Sequence, residues 1–168
     1  EMCIRDREYI DYFYSSTKDG WPCWSFSNHD VKRHISRWSE DKSNLSDLAK
    51  ISCALLLSLR GTVCIYQGEE LGQTETKLEF KELTDPPGIE FWPEEAGRDG
   101  CRTPMVWNSK KLNGGFSKVK PWLPVKKEQK QKSVDLQEDK NDSVLSFYKE
   151  MIKARKEHFK EIYDFDFI

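Results

Sequence analysis

What this 168-residue sequence lacks narrows its class before any motif is read. It has no long apolar run: the longest clean one is Ala54-Leu55-Leu56-Leu57, far short of the ~20 residues a membrane span needs. Its first seven residues, Glu1-Met2-Cys3-Ile4-Arg5-Asp6-Arg7, contain no apolar stretch of the kind a secretory leader carries. There is no C-x-x-C pair, and Cys3, Cys23, Cys53, Cys64 and Cys101 are odd in number and widely spaced. That pattern supports neither a metal knuckle nor a disulfide framework, and reads as reduced thiols in a cytosolic setting. No charge of one sign dominates. With 27 basic and 29 acidic residues the net charge is −2, which argues against nucleic acid or an anionic membrane as the main partner. Hydrophobic residues are scarce at 37%, where about 45–50% is usual when glycine is counted as well. A chain disordered throughout is nevertheless excluded by an aromatic share of 12%, six tryptophans included.

What is present sorts into a few elements. Tyr9, Ile10 and Phe13 recur at helical spacing over residues 7–18, with Gly20 as a stop. Cys23-Trp24-Ser25-Phe26-Ser27 alternates like a short strand and runs into Asn28-His29-Asp30. Residues 46–60 form a helix with Leu48, Ile51, Leu55, Leu56 and Leu59 as its apolar stripe, Ser46 as N-cap and Gly61 as stop. Thr62-Val63-Cys64-Ile65-Tyr66, bounded by Gly61 and Gly68, suits a strand buried on both faces of a parallel sheet. Strand, helix, strand is a βαβ unit, so the class is α/β. Residues 72–141 show little regular pattern, far more than an ordinary connection, as expected of a functional loop over a site. A last amphipathic helix covers residues 142–158, with Val144, Leu145, Tyr148, Met151, Ile152 and Arg155 on one side. Two parallel strands and three helices cannot close a sheet, so the chain is expected to be a fragment of something larger.

In parallel α/β proteins, chemistry sits where strands end. Asn28-His29-Asp30 follows the first strand: Asp30 is either an acid steadying positive charge or a helix N-cap, and His29 either contacts a polar ligand or is a plain loop residue. Gln67-Gly68-Glu69-Glu70 follows the second, where adjacent acids suit acid/base work or one of them a salt bridge. In Gly97-Arg98-Asp99-Gly100-Cys101-Arg102, an arginine in a glycine-rich loop suits bidentate contacts to hydroxyls or carboxylates, or an ion pair with Asp99. The His29–His34 spacing is poor for metal ligation, and no metal or cofactor is expected.

Taken in order, these clusters resemble the α-amylase superfamily of glycoside hydrolases, closest to its bacterial α-glucosidase and oligo-1,6-glucosidase branch. Ser27-Asn28-His29-Asp30 with Arg33 and Ser36-Arg37-Trp38 is similar to the motif closing the seventh barrel strand, and Gly61 through Gly72 to the eighth. Asp85-Pro86-Pro87-Gly88-Ile89, Phe91-Trp92-Pro93, Gly97 through Trp107, Gly115-Phe116, Pro121-Trp122 and Phe147-Tyr148 through Lys156 continue the likeness. Val63 departs from the proline usual there.

The resemblance implies the C-terminal portion of a (β/α)8 TIM barrel, its last two strand–helix units with the helix before them. Residues 8–160 are then barrel, residues 161–168 the start of a C-terminal β-domain, and residues 1–7 a non-native leader. It implies a retaining enzyme whose nucleophilic Asp and general-acid Glu lie upstream, leaving the fragment alone inactive. Asp30 is then the transition-state stabiliser, with His29, Arg102 and Arg33 binding substrate, an oligosaccharide of the maltose or isomaltose type in a bacterial cytoplasm. A transglycosylating relative converting sucrose or trehalose, and a non-catalytic transporter heavy chain, are the rival implications.

Overall fold

The computed structural model describes residues 2–17, 20–39 and 42–158. In chain order its α-helices are α1 (Met2–Ser16), α2 (His34–Trp38), α3 (Leu45–Ser58), α4 (Pro86–Glu90), α5 (Lys127–Lys130), α6 (Val134–Gln137) and α7 (Val144–His158). The two strands are β1 (Cys23–Trp24) and β2 (Thr62–Val63). They pair in parallel, Cys23 opposite Thr62 and Trp24 opposite Val63, with α2 and α3 in the crossover. The βαβ unit is therefore present, but both strands are shorter than the sequence suggests. Nor is β2 buried on both faces: Thr62 and Cys64 are exposed, while Val63, Ile65 and Tyr66 are half-buried. With a single hydrogen-bonded partner strand among the described residues, nothing extends the ladder beyond two residue pairs.

The core lies where α3 crosses α7. Ile35 of α2 joins Ala49, Cys53 and Leu57 of α3 and Val144 and Tyr148 of α7, with Leu48, Val63, Ile65 and Met151 packed around them. Of the apolar stripe expected on α3, Leu56 and Leu59 are buried and Leu48 packs on the core, but the other two residues are a correction. Ile51 and Leu55 face outward, 66% and 49% exposed, whereas Ala49, Ser52 and Cys53 are buried. The small Ala49 and Cys53 pack with Leu57 in the cluster that buries Tyr148 of α7. The helix also begins at Leu45, after Asn44, and no side chain caps it. In α1, Tyr9 is 73% exposed, while Ile10 and Phe13 are half-buried. The helix includes Met2 to Arg7, residues set aside above as leader.

Arg155 on α7 ties the turn between α3 and β2. Its guanidinium donates to the carbonyls of Leu57, Leu59 (2.8 Å) and Gly61 (2.6 Å). Between residues 72 and 141 the chain makes only short helical turns, and Leu78, Leu83 and Leu123 form a small second core there. The expected β-domain start at residues 161–168 lies outside the described residues.

Candidate functional site

Beyond β1 the chain passes through Ser25, Phe26 and Ser27 and then turns. Asn28 Oδ1 accepts the backbone N–H of Asp30 at 2.8 Å, an Asx turn that projects the next two side chains outward. His29 and Asp30 are 70% and 51% exposed at their side chains, with His29 Nε2 3.3 Å from Asp30 Oδ2. Since α2 begins only at His34, with Arg33 at its N-cap position, Asp30 is not a helix cap.

Two arginines from the long loop converge on Asp30. Arg98 Nη1 and Arg102 Nη2 each lie 3.1 Å from Asp30 Oδ1. Arg102 also donates from Nε to the His29 carbonyl at 2.7 Å, so it grips the turn by side chain and backbone together. Asp99 is not its ion-pair partner. Asp99 is fully buried and accepts, at Oδ2, the N–H of Thr84 (2.6 Å), the Thr84 hydroxyl (3.1 Å) and the N–H of Asp85 (2.8 Å). Desolvation pushes the Asp30 carboxyl up, but the positive field of His29 and the hydrogen bonds from Arg98 and Arg102 outweigh it. The net shift is downward, so this acid stays ionised at neutral pH.

Arg33, expected beside the substrate, instead lies beneath the site. It is 3% exposed; Nη1 donates to the Gln67 carbonyl at 2.7 Å and Nη2 to the Cys101 carbonyl at 3.0 Å. From the N-cap of α2 its side chain runs inward to those two carbonyls. Gly68, with φ +88°, makes room for it: a Cβ there would stand 3.0 Å from Arg33 Nη1. Of the two acids after β2, Glu69 turns back into the fold and Glu70 is half-buried. Glu69 is 2% exposed and sits 3.3 Å from His34 Nδ1, and Glu70 accepts the Gly68 N–H at 2.8 Å. Burial raises the Glu70 carboxyl above its usual range.

Sequence reasoning missed the part played by Asp85 and Arg98. Asp85, 1% exposed at its side chain, takes the Arg98 fork from beneath, Nη2 at 2.7 Å from Oδ1 and Nε at 3.1 Å from Oδ2. The hint was there in two arginines four residues apart in a glycine-rich loop that follows a buried acid. Beside Arg102 lies a cavity of about 370 Å³ lined by Gln67, Glu70, Met105, Trp107 and Phe116 among others. Among the described residues no group of three or more His, Cys, Asp or Glu side chains is placed to hold a metal ion, and no helix is long and apolar enough to cross a membrane. Chemically, the arrangement offers a fixed, charged carboxylate with guanidinium donors beside it, facing outward. Such a set suits hydroxyl-rich ligands and the stabilisation of developing positive charge.

Comparison with known proteins gives consistent matches. The profile of the alpha-amylase catalytic domain matches residues 6–164. A probable alpha-glucosidase of Rhizobium meliloti is 49% identical over 152 residues, covering 90% of this chain and 27% of that protein. An oligo-1,6-glucosidase of Heyndrickxia coagulans is 32% identical over 160 residues, covering 84% of this chain and 29% of its own length. The crystal structure of an alpha-glucosyl transfer enzyme, XgtA, superposes with a TM-score of 0.83 at 43% identity, over 90% of this chain and 28% of that one. The chain thus spans less than a third of the length of the proteins it matches.

Proposed function

The chain belongs to the alpha-amylase catalytic-domain family, and from that membership we propose that it forms the C-terminal part of a retaining α-glucosidase barrel, its last two strand–helix units. In this reading it carries one wall of the pocket for a terminal α-linked glucose, from a substrate of the maltose or isomaltose type. The observation that carries the proposal is the outward carboxylate of Asp30 in the turn beyond the carboxyl end of β1, with two guanidiniums at 3.1 Å. Ligands of parallel α/β folds bind at that end of the strands. Positive charge grows on the sugar ring only as the glycosidic bond breaks, so a fixed anion there favours the transition state over the bound substrate. His29 and the free N–H groups of Arg102 are the hydroxyl-binding groups of this wall. The nucleophile and the general acid of retention belong to the upstream barrel.

A second reading, glucosyl transfer to a sugar acceptor, is favoured by the likeness to a transfer enzyme at 43% identity. Both readings share the role of Asp30 and differ in what enters after the first step, water or a second sugar.

The test uses the longer protein that contains this chain. Asp30→Asn keeps size and most hydrogen bonding but removes the charge, and should lower kcat on maltose or isomaltose by roughly 10²–10³-fold, the loss typical of one electrostatic stabiliser. Near-native kcat in that variant would overturn the proposal. Chromatography of the products separates the two readings, free glucose alone for hydrolysis and longer glucosides for transfer.

A further inference from the structure

Asp85 is a carboxylate in the wrong place for an ordinary surface ion pair. Its side chain is 1% exposed, although the arginine it binds is 42% exposed. Burying a carboxylate is unfavourable unless it is paired and hydrogen-bonded, and here both oxygens accept hydrogen bonds. Arg98 supplies Nη2 and Nε, and its own backbone N–H donates to Oδ2 at 2.8 Å. Arg102 Nη1 stands 3.8 Å from the same carboxylate. The turn that delivers the Arg98 N–H has no room to spare: Gly97 has φ +64°, and a Cβ on it would lie 2.6 Å from Asp85 Oδ2. Behind it, fully buried Asp99 fixes the backbone of Thr84 and Asp85.

From inside to outside there is thus a continuous chain: Asp99, the Thr84–Asp85 backbone, the Asp85 carboxylate, the Arg98 guanidinium, Asp30. Two of the three side-chain nitrogens of Arg98 are committed to Asp85. The third, Nη1, lies 3.1 Å from Asp30 Oδ1. A long side chain reaching an exposed acid ordinarily loses rotamer freedom to do so. Arg98 has already lost it to Asp85.

We propose that Asp85 and Arg98 are a positioning pair for Asp30, Asp85 fixing the guanidinium so that its remaining nitrogen holds the Asp30 carboxylate aimed and charged before ligand arrives. The inference rests on the reading of Asp30 as the acid of the sugar site. It assigns neither residue a contact with substrate. Four groups bear on Asp30: His29 from its own turn, Arg98 and Arg102 from the loop, and Asp85 behind both arginines.

The test reads Asp30 directly, by ¹³C NMR of its carboxyl carbon in the longer protein that contains this chain, the resonance being assigned by its loss in Asp30→Asn. Removing a cation disfavours the carboxylate, so Arg98→Gln should raise the Asp30 titration midpoint by about half a unit or more. Arg98→Lys keeps the charge without the fork and should show a smaller rise. In the longer protein, Arg98→Gln should lower kcat with little change in KM, and Arg98→Lys should restore part of the loss. A purely structural Arg98 would lower thermal stability and leave the Asp30 midpoint where it was; that result overturns the pair. If Asp30→Asn is inactive while Arg98→Gln changes neither midpoint nor kcat, the pair falls and the site reading stands. If Asp30→Asn keeps full activity, the site reading itself falls.

Discussion

Replacing Arg33 by Met separates two roles that the sequence alone left merged. Arg33 is 3% exposed, and its two hydrogen bonds run to backbone carbonyls in different segments, Gln67 after β2 and Cys101 in the loop that carries Arg102. Its guanidinium carbon also lies 5.2 Å from the centre of the Tyr66 ring. Burial lowers its affinity for a proton, the expected sign for a cation removed from water. Each charge-assisted bond contributes about 1.5–3 kcal/mol, and losing both leaves two carbonyls unmet. Part of that loss is offset, because the variant no longer buries a cation. The net destabilisation of Arg33→Met should be about 2–4 kcal/mol. With a urea m-value of about 2 kcal/mol/M, the unfolding midpoint falls by roughly 1–2 M. Tryptophan fluorescence follows it, since Trp24 and Trp38 are half-buried. Arg33→Lys should recover less than half, because one ammonium cannot span carbonyls on two segments. An unchanged urea midpoint in Arg33→Met, together with a raised KM in the longer protein, would refute this account and return Arg33 to the substrate.

Two further outcomes follow from the packing and the thiols. Ile35→Ala, at a fully buried position, should cost about 2–4 kcal/mol, and Ile51→Ala, 66% exposed on the outward face of α3, less than about 0.5 kcal/mol; equal urea midpoints for the two would contradict the packing described. In a Cys3→Ser background at pH 8, a thiol reagent should label exposed Cys23 and Cys64 quickly, and reach Cys53 and Cys101 only after unfolding, because burial pushes those two thiols up to about 12 and about 11. Their protonated forms favour the folded state, so the stability they contribute is intact below the ordinary thiol value of 9.0 and is lost as pH rises through 11 and 12. A urea midpoint that stays level from pH 9 to pH 11, or four thiols reacting at one rate, would count against it.

The βαβ unit was legible because its signals are local: a β-rich run bounded by glycines, and a helical period before it. Its extent was not, because strand length depends on a hydrogen-bonded neighbour, and β1 and β2 have only each other among the described residues. The face of α3 was legible only in part, Leu48, Leu56 and Leu59 facing inward as expected, for a similar reason. Ranking by apolar size picks Ile51 and Leu55, whereas the helix turns Ala49 and Cys53 inward to admit Tyr148, a requirement set by a helix some hundred residues later. Asp30 could be singled out by position alone, since the carboxyl end of a strand is a general site rule. Its partners could not, for Arg98 and Arg102 are 68 and 72 residues away in sequence. Arg33, which the family resemblance set beside the substrate, is buried instead, and its carbonyl partners are 34 and 68 residues away in sequence.

The polar composition takes on a different meaning once the long loop is seen from inside. A segment with so little regular structure leaves its backbone N–H and C=O groups without a ladder, and each one buried needs a partner. Side chains supply them: Gln73 Nε2 donates to the Gln129 carbonyl at 3.1 Å, Gln67 Nε2 to the Thr103 carbonyl at 3.2 Å, and Gln137 Nε2 to the Leu71 carbonyl at 3.1 Å. Arg33 and Asp99 do the same work with charge, on carbonyls and N–H groups respectively. Gln73, Thr76, Asp85, Asp99, Thr103 and Gln129 are all buried, so part of the low apolar share is internal scaffolding rather than solvent-facing surface. Such scaffolding is directional where apolar packing is not. It can hold the Arg98 and Arg102 forks within hydrogen-bond reach of a single oxygen on Asp30, in a loop that no sheet supports.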